Sequence, residues 1–341
     1  TWHQDLLIPQ GGVHPASRDH DAMRFPSGPP RWAYLAGKRL NPRSWIYSWI
    51  ERKQYDLARG TRYVAVSHLV REHLRIYFGV PGDRVTVIPN AIDAGRLEVA
   101  DRSRARAAFR EQQGFAPDDV VGLFVGHNFK LKGLSPLLRA LAARAATSPA
   151  GRRPIHLAVC GGGRLPPFRR EVQRLGLDRF VRLIGYYREI PWAFHGSDFF
   201  VSPTYYDPCS LVVFEALACG LPVITTACNG AGELITPGRE GFVIPRPDDL
   251  PALIAALDAM TEDADRRVMS EQARSLGQAQ SFAQHARRLL ELAETVANER
   301  ASRSREPLAS GPGPHSRSRR GEPTRASSLE RFEPKGEETA R

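Results

Sequence analysis

Features typical of membrane-spanning and secreted chains are missing from this sequence. No apolar run reaches about 18 residues, which argues against a transmembrane helix. The chain begins at Thr1 and shows neither the basic segment nor the apolar run of a signal peptide. We therefore expect a cytoplasmic protein, with a peripheral position on the inner face of the cytoplasmic membrane as the alternative.

Cysteine is scarce, and several metal and nucleotide signatures are absent as well. The four cysteines, Cys160, Cys209, Cys219 and Cys228, have neither CxxC nor Cys/His spacing, so we expect free thiols in a reducing cytosol. We expect no metal and no other cofactor. No GxGxxG loop with a following acid is present, which excludes a typical nicotinamide-dependent dehydrogenase.

Positive charge, in contrast, is abundant. The chain has 48 Lys and Arg residues against 37 Asp and Glu, a formal net charge of +11. Such a surplus favours anionic partners, namely nucleotide phosphates, anionic lipid or nucleic acid, but does not choose among them. The 341 residues and a hydrophobic share of 42% suit a globular protein of two domains.

Short apolar runs alternate with amphipathic helical stretches from about residue 119 to 245. The runs VVGLFVGHN, IHLAVCGGG, DFFVSPT and PVITTA lack polar alternation, as expected of buried strands in a parallel sheet with helices on both faces. Upstream, DLLIP, RYVAVS and RVTVIPNAI have the same character. The predicted fold class is α/β with two Rossmann-like domains, of which the first is incomplete in this chain.

These patterns also give boundaries. Residues 1–95 are predicted to form the partial first domain, 96–118 a linker and 119–280 the second domain. Residues 281–300 are predicted to be a carboxy-terminal helix, and one option is that it crosses back to the first domain. Residues 301–341, rich in Ser, Arg, Gly and Pro, are predicted to be a disordered basic tail.

Ligands of open parallel sheets bind beyond the carboxyl ends of the strands, where four loops of this chain are expected to lie. The loop VGHNFKLKGL places Gly126, Lys130 and Lys132 before a predicted helix, an arrangement that suits a diphosphate. Two solvated lysines are the alternative. The loop CGGGRLPP allows close backbone approach but indicates little by itself.

The stretch YYDPCSLVVFEALACG carries two carboxylates around the start of a predicted helix, for which Ser210 is the candidate cap. Asp207 lies in the loop, and Glu215 lies on the helix among apolar residues, where an ionised carboxylate needs partners. Hydroxyls of a ribose or hexose could satisfy Glu215. An ion pair to a neighbouring arginine is the alternative.

Two features of the first part also point to ligands. His14 follows the strand DLLIP and a Gly-Gly turn, so it is either a group that acts in the cleft or a structural histidine. Residues 31–62 contain eight Lys and Arg against two acids, a charge of +6, and three of the five tryptophans. This composition suits an anionic membrane surface, or a helix that packs its aromatic side chains inward.

Together these stretches resemble glycosyltransferase family 4, the retaining nucleotide-sugar transferases with the two-domain GT-B fold. VAVSHLVREHLRIYFGVPGDRVTVIPNAID resembles the end of the family's first domain, and GHNFKLKG resembles its phosphate loop. DPCSLVVFEALACGLPVITT resembles its Glu-x7-Glu motif, and GAGELI follows as in the family. Within the family the likeness is greatest to lipopolysaccharide core glucosyltransferases that act on heptose.

The resemblance implies roles for four charged residues. Glu215 would bind the ribose hydroxyls of the donor. Asp207, which stands where the family usually has Glu, would lie near the transferred sugar. Lys132 matches the family lysine on the diphosphate, and Lys130 would supply a second charge.

Backbone groups at the start of the helix would touch the sugar or phosphate: the N–H groups of Cys209, Ser210 and Leu211. His14 would contact the transferred sugar. Three departures from the family stand out. Leu131 replaces the usual arginine before the lysine, and Ala91 follows Asn90 where the family has glycine. The first Gly-rich loop of the amino-terminal domain is not in the sequence, so we expect an incomplete catalyst.

The resemblance thus implies transfer of a hexose, with UDP-glucose as the expected donor, to a lipopolysaccharide-core or other glycan or lipid-linked acceptor. It also implies metal-independent front-side attack, in which the departing phosphate takes the acceptor proton. Three alternatives stay open: a non-catalytic or truncated sugar-nucleotide-binding protein, a basic nucleic-acid-binding protein, and an epimerase on the same fold. The nucleic-acid alternative has only the basic charge and the Arg/Ser tail in its favour.

Overall fold

The amino-terminal part of the molecule is built on a small parallel sheet. We describe a computed structural model over residues 4–56, 60–147 and 153–305. Its first sheet has the order β1-β2-β3, with strands Leu6–Leu7, Arg62–Ala65 and Val85–Val87. The helices of this part are α1 His14–Ala22, α2 Pro29–Arg39, α3 Pro42–Gln54 and α4 His68–Phe78. The connection from β1 to β2 therefore carries three helices.

The second sheet is larger, and all its neighbouring strands run parallel, in the order β6-β5-β4-β7-β8-β9. Its strands are β4 Val120–Val125, β5 Ile155–Cys160, β6 Val181–Gly185, β7 Phe199–Ser202, β8 Val223–Thr226 and β9 Gly241–Ile244. The helices are α5 Arg102–Gln113, α6 Leu134–Ala146, α7 Pro166–Arg174, α8 Ile190–Gly196, α9 Leu211–Ala218, α10 Leu250–Ala259, α11 Asp263–Ala279 and α12 Phe282–Arg305.

Burial explains why the strands of the second sheet lack alternation. Side chains on both faces are inaccessible to solvent, for example Leu123 and Phe124 on β4 and Phe199 and Phe200 on β7. Each successive pair points to opposite faces of the sheet, and helices cover both. The prediction of an α/β fold with two Rossmann-like domains is confirmed.

The strand order creates a topological switch point. From β4 the chain winds outward through β5 and β6, then returns to the other side of β4 with β7, β8 and β9. The loops that follow β4 and β7 therefore leave neighbouring strands in opposite directions and open a crevice between them. Ligands of open parallel sheets bind in such crevices.

Residues 96–118, treated as a linker in the sequence analysis, contain helix α5, which packs on α8. The buried guanidinium of Arg110 anchors the helix by hydrogen bonds to the Gly196 carbonyl at 3.0 Å and to the Asp198 carboxylate at 2.7 Å. This charge is fully paired, as a buried arginine requires. The segment therefore belongs to the packed body of the second domain.

The chain returns to the first domain after α11. The backbone N–H of Ile92 donates to the Gln280 carbonyl at 3.0 Å, and the His285 ring contacts the Pro89 carbonyl at 2.8 Å. The first five residues of the predicted disordered tail, 301–305, are helical and belong to α12, so the prediction is wrong for them; the rest of the tail lies outside the described residues. No helix in the described ranges has the length and apolar character needed to cross a bilayer. All four cysteines are free, as predicted, and buried.

Candidate functional site

The switch point holds an ion pair between two residues that the sequence analysis singled out. Lys132, in the loop after β4, donates through Nζ to the carboxylate of Asp207, in the loop after β7. Both side chains are largely buried, with 22% and 11% of their surfaces exposed. The second Asp207 oxygen accepts from the backbone N–H of Cys209 at 3.3 Å. A cation and a carboxylate thus meet where a ligand of this fold is expected.

The loop that carries Asp207 is fixed from both sides. The backbone N–H of Tyr205 donates to the Leu131 carbonyl at 2.8 Å, which joins this loop to the lysine loop. Asp207 itself donates its N–H to the Cys228 carbonyl at 3.0 Å and accepts from the Gly230 N–H at 2.9 Å. The carboxylate position is therefore set by backbone bonds to two neighbouring loops.

Glycine allows the loops after β4 and β5 to touch. Gly161 has a φ of 129°, and a Cβ there would lie 1.8 Å from the Gly126 carbonyl oxygen. No other residue type fits that approach. Gly126 in turn lies behind the Lys132 side chain, because a Cβ on Gly126 would lie 3.2 Å from Lys132 Cγ. The CGGGR loop after β5 thus packs directly against the loop that carries Lys132.

A cavity of about 290 Å³ opens beside this contact. Its lining comes from the loops after β4 and β5 and the start of α7: His127, Asn128, Phe129, Lys130, Arg164, Pro167 and Phe168. Lys130 and Arg164 give it positive charge, while buried Phe129 and Phe168 form an apolar wall. Lys130 is exposed here and is not part of the Lys132 ion pair, so the structure separates the two predicted lysines.

Glu215 lies on α9, half-buried among apolar neighbours. Burial raises the pKa of its carboxyl. Throughout the described ranges, no hydrogen bond or ion pair to this carboxyl is found, so the arginine partner considered in the sequence analysis is absent there. An acidic side chain that stays partly buried and unpaired is costly unless a ligand satisfies it.

The start of α9 differs from the sequence prediction in one detail. Ser210 occupies the N-cap position, but its side chain makes no capping hydrogen bond. The N–H groups of Cys209 and Ser210 donate instead to the carboxylate of Asp207 and the amide oxygen of Asn229, each at 3.3 Å. These long bonds leave room for a stronger acceptor. Leu211 begins the helix with an exposed side chain.

His14 lies on the first-domain side of the crevice, at the start of α1. Its backbone N–H donates to Glu51 Oε1 at 2.7 Å, and its ring stacks on Tyr47 of α3 at 5.4 Å. Burial lowers the pKa of the His14 imidazole, with the charges of Arg18 and Lys38 adding to the effect. The histidine is therefore neutral near pH 7. The structure does not pair it directly with Lys132 or Asp207.

The first domain holds the Asp207 loop through residues that sequence reasoning missed. Ser67 Oγ donates to the Pro208 carbonyl at 2.7 Å, and Asn90 Nδ2 donates to the Cys209 carbonyl at 2.8 Å. Both residues stand in the stretches VAVSH and VIPNAID, which the family resemblance had already marked. Ser67 and Asn90 lie 141 and 119 residues from their partners in the sequence, so no local pattern predicts these contacts.

A second link between the domains runs through Glu233, in the stretch GAGELI. Its carboxylate accepts from the backbone N–H groups of His68 and Leu69 at 2.7 Å and 2.6 Å. These N–H groups have no acceptor within α4 because they lie in its first turn, where the helix dipole also favours a negative charge. The second domain thus caps a helix of the first.

The outer face of α2 and α3 is apolar and exposed. We call it the aromatic surface; it consists of Trp32, Leu40, Trp45, Ile46 and Trp49. The tryptophans are 69%, 63% and 55% exposed in chain order. The idea that this stretch packs its aromatic side chains inward is therefore wrong for the three tryptophans, although Tyr55 is buried against Tyr63 and Phe78. The last turns of the same two helices carry basic residues, Lys38 and Arg39 on α2 and Arg52 and Lys53 on α3.

Comparison with known proteins gives two family matches. The model of the family described as Glycosyl transferases group 1 matches residues 105–276, which is 172 of the 341 residues. The model of Glycosyltransferase Family 4 matches residues 19–96. The two matches cover the second and first domains respectively.

Among curated relatives, a D-inositol 3-phosphate glycosyltransferase 2 of Catenulispora acidiphila is 34% identical over 197 residues, covering 54% of this chain and 45% of the relative. A probable transglycosylase of Burkholderia thailandensis is 33% identical over 265 residues, covering 75% of this chain and 66% of the relative. The chain therefore spans from about half to just under two thirds of the length of these relatives.

Two solved structures show the fold. WaaG, a glycosyltransferase involved in lipopolysaccharide biosynthesis, aligns with a TM-score of 0.66 at 22% identity, over 81% of this chain and 71% of that one. Anabaena HepE in complex with UDP-glucose aligns with a TM-score of 0.62 at 16% identity, over 85% and 99%. The chain has the GT-B fold and belongs to the Glycosyl transferases group 1 family.

Proposed function

We propose that this protein transfers a hexose from a nucleoside-diphosphate sugar to a sugar-containing acceptor, with retention at the anomeric carbon. The observation that carries the proposal is the Lys132–Asp207 ion pair at the switch point of the second sheet. It combines a cation for a diphosphate and a carboxylate for sugar hydroxyls at the place where this fold binds ligands.

The donor diphosphate would compete with Asp207 for Lys132. A diphosphate carries more negative charge than a carboxylate, so it is the stronger partner for the ammonium group. Lys132 is mostly buried, which strengthens its interaction with charge that develops on the departing phosphate. The N–H groups of Cys209 and Ser210, held only by bonds of 3.3 Å, would turn to the same anion. Asp207, once released, would accept from a hydroxyl of the transferred sugar.

The nucleoside would occupy the two remaining features of the donor side. The ribose hydroxyls would donate to Glu215, which the described residues leave unpaired and whose pKa is raised by burial. The base would enter the cavity next to Lys130 and Arg164 and lie against its aromatic wall. Hydrogen bonds from a ribose would lower the pKa of Glu215 again, since they stabilise the ionised form.

The transfer step would break the bond between the anomeric carbon and the phosphate oxygen and form a bond from that carbon to the acceptor oxygen on the same face. The departing phosphate would take the acceptor proton. Lys132 stabilises the leaving group, and Asp207 orients the sugar. The sequence offers no obvious second carboxylate at glycosidase spacing from Asp207, so a glycosidase-like double displacement is not supported.

The finer assignment is UDP-glucose as donor and a lipopolysaccharide-core or other glycan or lipid-linked acceptor. The solved relatives WaaG, named for lipopolysaccharide biosynthesis, and HepE, solved with UDP-glucose, support it through their shared fold. The inositol-phosphate glycosyltransferases among the relatives support a smaller polyol acceptor as the second candidate.

We also propose that the aromatic surface contacts an anionic membrane, which would bring a lipid-linked acceptor to the crevice. Exposed tryptophans beside lysines and arginines are typical of interfacial helices. Sedimentation with vesicles of phosphatidylcholine and phosphatidylglycerol tests this idea. Binding that falls in salt and in a Trp45→Ser, Trp49→Ser double variant supports it; equal binding to pure phosphatidylcholine contradicts it.

The test of the main function uses the full chain with radiolabelled UDP-glucose, UDP-galactose and GDP-mannose. Calorimetry measures binding, and chromatography separates transfer, hydrolysis and epimerisation. We expect micromolar binding of one donor and transfer to a saccharide acceptor. Binding without any turnover would favour a non-catalytic sugar-nucleotide-binding protein. Absence of binding to every donor would refute the function.

A further inference from the structure

The first-domain side of the crevice contains polar atoms that are buried and have no partners. Three of them lie on neighbouring side chains: Glu51 Oε2, His14 Nε2 and the hydroxyl of Tyr206, none of which has a hydrogen-bond partner among the described residues. The Val13 N–H lies near the Tyr206 hydroxyl but does not meet hydrogen-bond geometry. Native proteins leave few such atoms unsatisfied, and each calls for an explanation.

These groups come from both domains and share one location. Glu51 and Tyr47 lie four residues apart on α3 and so share one face, which meets His14 at the start of α1. Tyr206 immediately precedes Asp207, and its ring lies within electrostatic reach of the Glu51 carboxylate. The cluster therefore borders the donor site without being part of it.

Gly12 brings the two sides together. Its φ is 71°, and a Cβ at this position would lie 2.2 Å from the Tyr206 hydroxyl and 2.9 Å from Pro208 Cγ. The first-domain loop thus packs directly on the loop that holds Asp207. A ligand that reaches Glu51 and Tyr206 would be next to the sugar that Asp207 orients.

The chemistry of the cluster fits a sugar diol. Glu51 Oε2 can only accept when ionised, whereas a tyrosine hydroxyl donates and accepts. Burial raises the pKa of Tyr206, so its hydroxyl keeps its proton. An acceptor and a donor within electrostatic reach of each other suit a pair of hydroxyl groups, a unit common to hexoses, heptoses and inositols.

We propose that Glu51 and Tyr206 bind a vicinal diol of the acceptor, with Glu51 Oε2 receiving the hydrogen bond of the attacking hydroxyl. This inference rests on the proposed transferase function and adds the acceptor side to it. Glu51 orients the nucleophile but keeps no proton, because the proton passes to the departing phosphate. His14 Nε2 supplies a further contact to the same ligand.

The site also explains why Glu51 lies in so unfavourable a place. Burial raises the pKa of its carboxyl to about 7, although the His14 N–H acts in the opposite direction. The carboxylate that binds the diol is therefore fully formed only above neutral pH. Transfer should fall as pH drops through this range, and that acid limb should belong to Glu51.

The test compares wild type with Glu51→Gln and Glu51→Asp in the full chain. Glu51→Gln keeps an oxygen for the His14 N–H, so the fold is retained, but it removes the charge. Glu72→Gln is the matched control, because Glu72 is an exposed glutamate of the same domain paired with Arg75. The probes are UDP-glucose as donor and two acceptors, a deacylated lipopolysaccharide core oligosaccharide ending in heptose and D-inositol 3-phosphate.

We expect Glu51→Gln to raise the acceptor KM at least tenfold, to leave the UDP-glucose Kd within twofold of wild type and to remove the acid limb near pH 7. Glu51→Asp should keep that limb, and Glu72→Gln should behave as wild type. An unchanged acceptor KM and pH profile in Glu51→Gln would overturn the inference, as would an equal loss of donor affinity.

Failure of the function and failure of the inference are distinguishable. If wild type binds no UDP-sugar, the proposed function itself fails. If wild type binds UDP-glucose but neither acceptor increases its turnover in a saturable way, the diol site is overturned while the donor site stands.

Discussion

The two sides of the crevice satisfy their charges in opposite ways. On the donor side, Lys132 and Asp207 form an ion pair and neutralise each other. On the acceptor side, Glu51 Oε2 and the Tyr206 hydroxyl are buried without partners. The paired side can exchange a weak anion for a stronger one, whereas the unpaired side can only gain contacts. The comparison teaches that two kinds of feature can indicate a ligand site: a buried ion pair that a ligand could exchange, and buried polar atoms without hydrogen-bond partners.

The largest effect on the donor side is expected when Lys132 is replaced. Lys132→Ala should lower kcat by about 10²–10³-fold, because it deletes a buried cation beside the leaving phosphate. Lys130→Ala is the control: this exposed lysine of the same loop should change kcat less than tenfold. Steady-state transfer assays measure both. Equal effects of the two variants would show that the ion pair has no special role.

Lowering the pH should reduce the folding stability of the protein through His73, which lies where the two domains meet. His73 is buried beside His20 and Tyr206, and burial lowers the pKa of its imidazole to about 4, with the charge of His20 adding to the effect. The unfolded chain binds this proton near pH 6.5, so stability is present above that value and lost as pH falls towards 4. The loss reaches about 3 kcal/mol.

Denaturant unfolding at pH 7 and pH 5 measures this effect, and His73→Phe should reduce the difference between the two pH values. Other buried histidines also contribute to the pH dependence of stability. The control is therefore His68→Phe, which replaces an exposed histidine. A pH dependence identical in wild type and both variants contradicts the assignment to His73.

Glu215 offers a gentler test of the donor side. Glu215→Gln should weaken UDP-glucose binding about 10–30-fold, since a charged acceptor for two hydroxyls becomes a neutral one. Calorimetry with UDP-glucose and with UDP measures it, and both should weaken alike because the contact is to the ribose. Glu271→Gln, on the exposed face of α11, is the control. A loss confined to UDP-glucose would move Glu215 from the ribose to the hexose.

The smallest expected change concerns the contact between the sides. Ser67→Ala removes a 2.7 Å hydrogen bond to the Pro208 carbonyl and the side-chain cap on the Val70 N–H of α4. Removing an N-cap costs about 1 kcal/mol. Thermal unfolding should show a lower Tm, with kcat nearly unchanged. A large fall in kcat without a change in Tm would instead place Ser67 in the reaction.

The donor side was largely readable from the sequence because its residues follow strands. Lys132 lies seven residues after the end of β4 and Asp207 five residues after the end of β7, and parallel strands bring such positions to one edge. Helix α6 begins at Leu134 and ends at Ala146, as the periodic stretch LSPLLRALAARAA predicts. Here local pattern and tertiary position agree.

The acceptor side was not readable to the same degree. Helices α1 and α2 were not predicted, because their sequences lack a regular spacing of apolar residues. Each has a proline in its first turn, Pro15 in α1 and Pro29 in α2. Proline at a helix start is nevertheless a usable sign, as is Asn41 before Pro42 at the start of α3. Glu51 could not be assigned, since its partner His14 is 37 residues distant.

Glu233 ties the second domain to the start of α4 in the first. Because this carboxylate of the second domain satisfies the first two N–H groups of α4, any rotation that widened the crevice would expose them. Charge-assisted bonds of this kind are worth about 1–3 kcal/mol. The helix end and the carboxylate thus oppose any such rotation of one domain away from the other.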